Sequence, residues 1–271
     1  MGTSWATAAL LLALPESATR PDSLHLPGVK PMNPPAWSDT VLFGRTEDLP
    51  KLIDSGWNTN STTPQGTTAL MLAAPDAQKA SLLLQQGADP NAKSKTRYTA
   101  LMIAASHHAT DSVRILLDHN AEVSASDGKP AQFGAGPLIL SAFSGDVETM
   151  EALRKKGAAV RTKMLPGGVF PVTPLSVAVM EGDASMVEAL IHGGVPVDEI
   201  ASSDGVTPIG WTVFNNDTRT ASLLLSKGAD VNHVDKQGYT PLLWAASVNF
   251  GEVTVQAARS MEGRREGAGR C

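Results

Sequence analysis

The chain has 271 residues, of which 42% are hydrophobic and 18% charged, with a formal net charge of −5. That composition fits an ordered soluble protein with apolar material for one solenoid or two compact domains, and it removes any global attraction to nucleic acid or anionic lipid. The single cysteine, Cys271, excludes an internal disulfide framework and a cysteine metal cluster.

Residues 1–34 differ in character from the rest of the chain. A short apolar run, Trp5 to Leu14, precedes Pro15 and a stretch holding Pro21, Pro27, Pro31, Pro34 and Pro35. The run is about half of the twenty residues that a membrane span requires. Two readings of it stay open. As a secretory signal it lacks a leading Lys or Arg, and Glu16-Ser17-Ala18 is a poor cleavage sequence. By its resemblance to the last helix of an α/α-barrel repeat, it would close a preceding domain and be joined to the rest by a semi-rigid proline linker. The compartment, cytoplasmic or extracytoplasmic, is therefore left open.

From residue 35 the chain becomes periodic. Helix-closing residues recur at Gly56, Gly87, Asn120, Gly157, Gly194 and Gly228, separated by 31, 33, 37, 37 and 34 residues. Glycine, and to a lesser degree asparagine, tolerates the left-handed conformation that ends a helix. A helix-opening element keeps step with them: Thr68-Ala69-Leu70, Thr99-Ala100-Leu101, Gly136-Pro137-Leu138, Thr173-Pro174-Leu175, Thr207-Pro208-Ile209 and Thr240-Pro241-Leu242. Threonine caps a helix, and proline at the first position gives up an N–H that has no partner there. A second apolar pattern precedes each closing residue: Leu49/Leu52/Ile53, Ala80/Leu83/Leu84, Val113/Leu116/Leu117, Met150/Leu153, Val187/Leu190/Ile191 and Ala221/Leu224/Leu225. Spacings of three and four place these side chains on one helical face.

Deviations are local. The first unit, Pro35 to Asn60, is degenerate, and Pro75 is expected to end the first helix of the second unit early. About four extra residues lie in each of the connectors Ser124–Ala135 and Arg161–Val172. Both project from the same edge of a stack, as binding-side insertions or as tolerated loop growth. The last unit begins well at Pro241–Ala246, but counting back from Gly263 places Gln256, Arg259 and Ser260 at the apolar positions. Residues 251–271 are accordingly expected to be a degenerate or disordered tail that frays, or to mark where a longer array once continued.

A turn, a T-P-L helix and a V-x-x-L-L helix in about 33 residues resemble the ankyrin repeat, over roughly residues 35 to 250. The resemblance implies an all-α solenoid of stacked helix-turn-helix units with β-hairpin-like finger loops, about six repeats and a partial seventh. Flanking it are the segment 1–34 and the tail 251–271. Gly2-Thr3-Ser4-Trp5-Ala6 and the apolar run resemble, over a short stretch, the last helix of an α/α-barrel repeat of the squalene-cyclase or prenyltransferase type. Ankyrin arrays similar to this one, preceded by such an end and a proline linker, occur in bacterial proteins that also carry c-type cytochrome modules. No C-x-x-C-H exists in this sequence to hold a haem.

No phosphate-binding loop, dinucleotide fingerprint, H-E-x-x-H helix, nucleophile elbow or C-x-x-C is present, so no catalytic role, cofactor or metal is assigned. The pair His107-His108, with Asp111, falls at an inter-helix turn and reads as exposed polar surface. What remains is surface. By its resemblance to ankyrin repeats, the chain should meet a protein partner through residues that flank the fingers and end the first helices. These are Lys93, Lys95, Tyr98, His107, Phe143, Met180, Phe214, Asn215, Lys236, Gln237 and Tyr239. Tyr98 and Tyr239 share one finger position, and Phe143, Met180 and Phe214 share one helix position. That helix position reads either as an interface stripe or as core. The implied function is a non-catalytic interaction module, with a structural spacer in a larger multidomain protein as the alternative. The chain is expected to be a monomer, with self-association open to it through the poorly covered C-terminal end.

Overall fold

The computed structural model describes residues 35–124, 136–159, 173–201 and 204–247. The apolar start, both connector insertions and the tail beyond Ser247 lie outside the described residues.

Thirteen helices occur among the described residues: α1 (Ala36–Phe43), α2 (Asp48–Asp54), α3 (Ala69–Ala73), α4 (Ala77–Gln85), α5 (Ala100–Ser106), α6 (Thr110–Asp118), α7 (Pro137–Ser144), α8 (Val147–Lys155), α9 (Pro174–Met180), α10 (Ala184–His192), α11 (Pro208–Phe214), α12 (Thr218–Ser226) and α13 (Pro241–Ser247). Odd-numbered helices are the first and even-numbered helices the second members of helix-turn-helix units. Each first helix packs on the first helix of the next unit, and from α4 onward each second helix packs on the next second helix. This is a solenoid of two helical layers. The apolar core runs through α1 to α12, while Val213 and Ala245 form a small separate cluster with Trp244 at its far end.

The predicted punctuation is realised in the backbone. Gly56, Gly87, Asn120, Gly157, Gly194 and Gly228 all have positive φ, between 61° and 94°. The Thr68, Thr99 and Thr173 hydroxyls accept hydrogen bonds from backbone N–H groups three residues on, and Thr240 does the same for Leu243. Thr207 differs: its hydroxyl is buried with no partner. The second helices of four units are capped by Asp76, Asp146, Asp183 and Asp217, each accepting from backbone N–H groups two or three residues ahead. The third unit has Ala109 at this place and no cap. Its Thr110 hydroxyl instead donates across the stack to Asp146 Oδ2 at 2.9 Å. α3 ends at Ala73, two residues before Pro75, as the proline requires.

A polar stitch crosses the stack four residues after a closing position. Asn60 Nδ2 donates to Gly87 O (3.0 Å) while its Oδ1 accepts from Asp89 N (2.8 Å). Asn91 repeats both bonds with Asn120 O and Glu122 N at 3.1 and 2.8 Å. Asp198, which has no donor, keeps the accepting half, from Asp230 N at 3.0 Å. On the second-helix side, Arg114 pairs with Glu148, Lys156 with Asp118 and Lys227 with Glu188, each from one unit to its neighbour.

Candidate interaction surface

The fingers are built from one local device. Thr63, Ser94 and Asp235 occupy the same register, seven residues after a closing position. In each, the backbone N–H donates to the carbonyl four residues on: Thr67, Tyr98 and Tyr239 respectively. The side-chain oxygen of the same residue accepts the N–H coming back, at 3.2, 3.0 and 2.9 Å. The turn is closed by Gly66, Arg97 and Gly238, all with positive φ. Among the described residues these loops contain no strand, and their extended pairing is limited to the bridge Thr62–Thr68.

Lys95 and Lys236 therefore share a position. Their backbone N–H groups donate to Gln65 O (2.9 Å) and Asp204 O (2.8 Å) of the preceding finger, and both residues are exposed. Lys93 lies 4.0 Å from Glu122, and Gln237 is exposed with its N–H on Asp235 Oδ1. The two tyrosines differ. Tyr98 is half-buried against the core, and its burial pushes the phenol pKa above its usual value. Tyr239 is 41% exposed and rests on Trp244, with ring centroids 4.6 Å apart.

The first-helix ends also divide. His107 closes α5 half-buried, its Nδ1 against Ile103 O at 2.9 Å. Phe143 is partly buried against the core, whereas Met180 and Phe214 are 38% and 41% exposed. The stripe thus turns outward along the stack. Asn215 serves the fold, since its Nδ2 donates to Val179 O and Met180 O of the preceding unit at 3.3 and 2.8 Å. Ser144 does the same to Ala105 O at 3.1 Å.

Sequence reasoning missed the aromatic chain at the far end. Trp211, Phe214, Trp244 and Tyr239 contact in series, with centroids 5.6, 5.2 and 4.6 Å apart. Asp235 fixes it: Oδ2 accepts from Trp244 Nε1 at 2.6 Å, and Oδ1 accepts from Gln237 N and Tyr239 N at 2.9 Å each. Burial opposes ionisation of Asp235, but the Trp244 and backbone hydrogen bonds outweigh it, and the carboxyl titrates below its usual range. The recurrence of Trp in the last two first helices was the available signal. Among the described residues, no three of His, Cys, Asp and Glu gather as metal ligands, and no helix is long and apolar enough to cross a membrane.

Two layers of stacked helix pairs with looped fingers define an ankyrin array. The chain belongs to the ankyrin-repeat family: the family model of ankyrin repeats matches it in three copies, at residues 39–127, 78–164 and 175–255. Such repeats generally act as protein–protein interaction modules.

Among relatives, it is 26% identical over 224 residues to human transient receptor potential cation channel subfamily A member 1, a match covering 67% of this chain and 20% of the channel. It is 31% identical over 160 residues to the ankyrin repeat and KH domain-containing protein mask-1 of Caenorhabditis elegans, covering 59% and 6%. To the human mitochondrial disaggregase it is 28% identical over 193 residues, covering 68% and 25%. The chain thus spans a quarter or less of the length of these relatives. The crystal structure of the human ASB11 ankyrin repeat domain is similar in fold, with a TM-score of 0.72 and 23% identity over 83% of this chain and 97% of that one.

Proposed function

We propose that the chain is a non-catalytic protein-binding module whose partner seats on the edge where first-helix ends meet fingers. The observation that carries this reading is the outward exposure of Met180, Phe214 and Tyr239 on that edge. Large apolar side chains that remain in water on a rigid support are suited to anchor an interface, because little conformational entropy is lost on binding. Lys95, Lys236 and Gln237 supply polar contacts around them, and Lys93 and His107 extend the surface toward the N-terminal units. Tyr98, Phe143 and Asn215, committed partly to packing and to capping, contribute shape more than energy.

Affinity capture with the wild-type chain and with a Phe214→Ser/Tyr239→Ser double variant tests the proposal. A protein retained by the wild type should be lost from the variant while far-UV circular dichroism and the thermal midpoint stay close to wild type. Equal retention by both would overturn the assignment. The small share of each relative that the chain covers favours, as a second reading, a segment that spaces domains within a longer protein. In that case no partner is lost with the variant, and deleting whole repeats changes the activity of the longer protein instead.

A further inference from the structure

Charge is unevenly placed along the solenoid. Residues 173–247 contain nine Asp and Glu against three Lys and Arg, whereas the described residues before 160 hold twelve against ten. The last units therefore carry a net charge of −6 with histidine neutral, more than the −5 of the whole chain. Of their nine carboxylates only Glu188 has an ion-pair partner among the described residues. Asp204 underlies the last finger through its carbonyl to Lys236 N, and Asp230 is exposed at that finger's base.

The aromatic chain and these acids share the same end of the molecule. Phe214 and Tyr239 are each 41% exposed, and Leu243 beside them on α13 is 51% exposed. Because Trp244 Nε1 is committed to the buried Asp235, the aromatic surface itself offers ring faces, and the negative charge comes from the exposed carboxylates of these units, such as Asp230. That combination favours guanidinium groups, which stack on aromatic faces and pair with carboxylates.

The chain supplies such groups close by. Residues 259–270 carry Arg259, Arg264, Arg265 and Arg270 against Glu262 and Glu266. Arg259 lies twelve residues beyond Ser247, a separation of at most about 40 Å along the chain. The aromatic chain, with centroid steps of 5.6, 5.2 and 4.6 Å, begins three residues before Ser247, at Trp244. A link of this length gives an effective concentration in the millimolar range, enough for a weak basic segment to occupy the surface.

We propose that the arginine-bearing segment 259–270 docks in cis on the aromatic surface that Phe214, Tyr239, Leu243 and Trp244 form at the end of the acidic units. A partner that uses this end of the face must then be basic enough to displace it. The inference builds on the proposed binding role of the same edge, and adds the chemistry of the occupant and its built-in competitor.

Cys271, the only cysteine, permits the test on the full chain. A nitroxide is attached to Cys271, and paramagnetic broadening is read on the Trp244 indole and the Phe214 and Tyr239 amides. These signals should weaken at least about twofold while those of Leu70 to Leu84 do not change. The effect should vanish at about 0.5 M NaCl and in the quadruple variant Arg259→Gln/Arg264→Gln/Arg265→Gln/Arg270→Gln. That variant leaves the described solenoid unaltered.

Broadening that is absent, spread evenly, or insensitive to the arginines overturns the proposal. So does broadening of an isotope-labelled Cys271→Ser chain mixed with spin-labelled unlabelled chain, since that places the segment on a second copy. If this experiment fails while capture still depends on Phe214 and Tyr239, the binding role survives and only the tail docking falls.

Discussion

Asp235 shows how one side chain can carry a finger. It is buried, accepts three hydrogen bonds through its two carboxylate oxygens, and ties Tyr239 and Trp244 into one unit. Asp235→Asn would turn an acceptor into an N–H donor at one of the two oxygens. With the amide toward Trp244 Nε1, two donors would face each other. The expected loss is about 1–3 kcal/mol, the cost of an unsatisfied buried donor, measured by urea denaturation at neutral pH. Acid behaviour has its origin in the same bonds. The folded pKa of Asp235 lies below its ordinary value, and so does that of Asp146, where burial is outweighed by the hydroxyl and backbone bonds of Thr149 and the hydroxyl of Thr110. A depressed carboxyl contributes stability that is fully present above the unfolded pKa of about 4 and is lost as pH falls through the folded value. The wild-type urea midpoint should therefore fall more steeply below about pH 4 than that of Asp235→Asn. Parallel pH profiles for the two proteins would show that Asp235 does not contribute.

At the scale of elements, units are joined by the stitch as well as by packing. Asn91 spans two units with both halves of its amide, so Asn91→Ala removes a donor to Asn120 O and an acceptor for Glu122 N. The expected cost is about 1–2 kcal/mol, because the carbonyl and N–H at an exposed edge regain water. Hydrogen exchange should quicken at Glu122, whereas no change there would mean that packing alone sets the spacing. The helix boundaries around this stitch were legible in the sequence, since Gly87 and Asn120 have few alternatives to a left-handed helix end, and Thr99 and Thr173 cap as expected. The stitch was not legible. Asn60, Asn91 and Asp198 look like ordinary loop polar residues, and their role depends on a carbonyl and an N–H some thirty residues away. The candidate surface was read only in part for the same reason. Position named Phe143, Met180 and Phe214 together, but exposure depends on the neighbouring unit, and in the sixth unit Phe214 rests against Trp211 and Trp244 while remaining 41% exposed.

Over the whole molecule, stability is a chain of nearest-neighbour interfaces, and among the described residues the last first helix is the least covered. Met71, Met102 and Ile139 are 1%, 2% and 1% exposed in α3, α5 and α7, whereas Leu243 at the same helical position in α13 is 51% exposed. Val213 and Ala245, where α11 meets α13, form a small cluster apart from the main core. Leu116 and Leu224, both fully buried in second helices, provide matched probes of this gradient. Truncating either to alanine removes similar apolar volume and costs about 2–5 kcal/mol locally. Leu224→Ala should open residues 204–247 to hydrogen exchange while residues 69–118 keep wild-type protection, because among the described residues α12 has a neighbouring second helix, α10, on one side alone. Leu116→Ala has well-packed neighbours on both sides and should lower protection across units two to four together. If both substitutions instead accelerate exchange uniformly from Leu70 to Leu224, the solenoid unfolds as one cooperative body and the gradient does not exist.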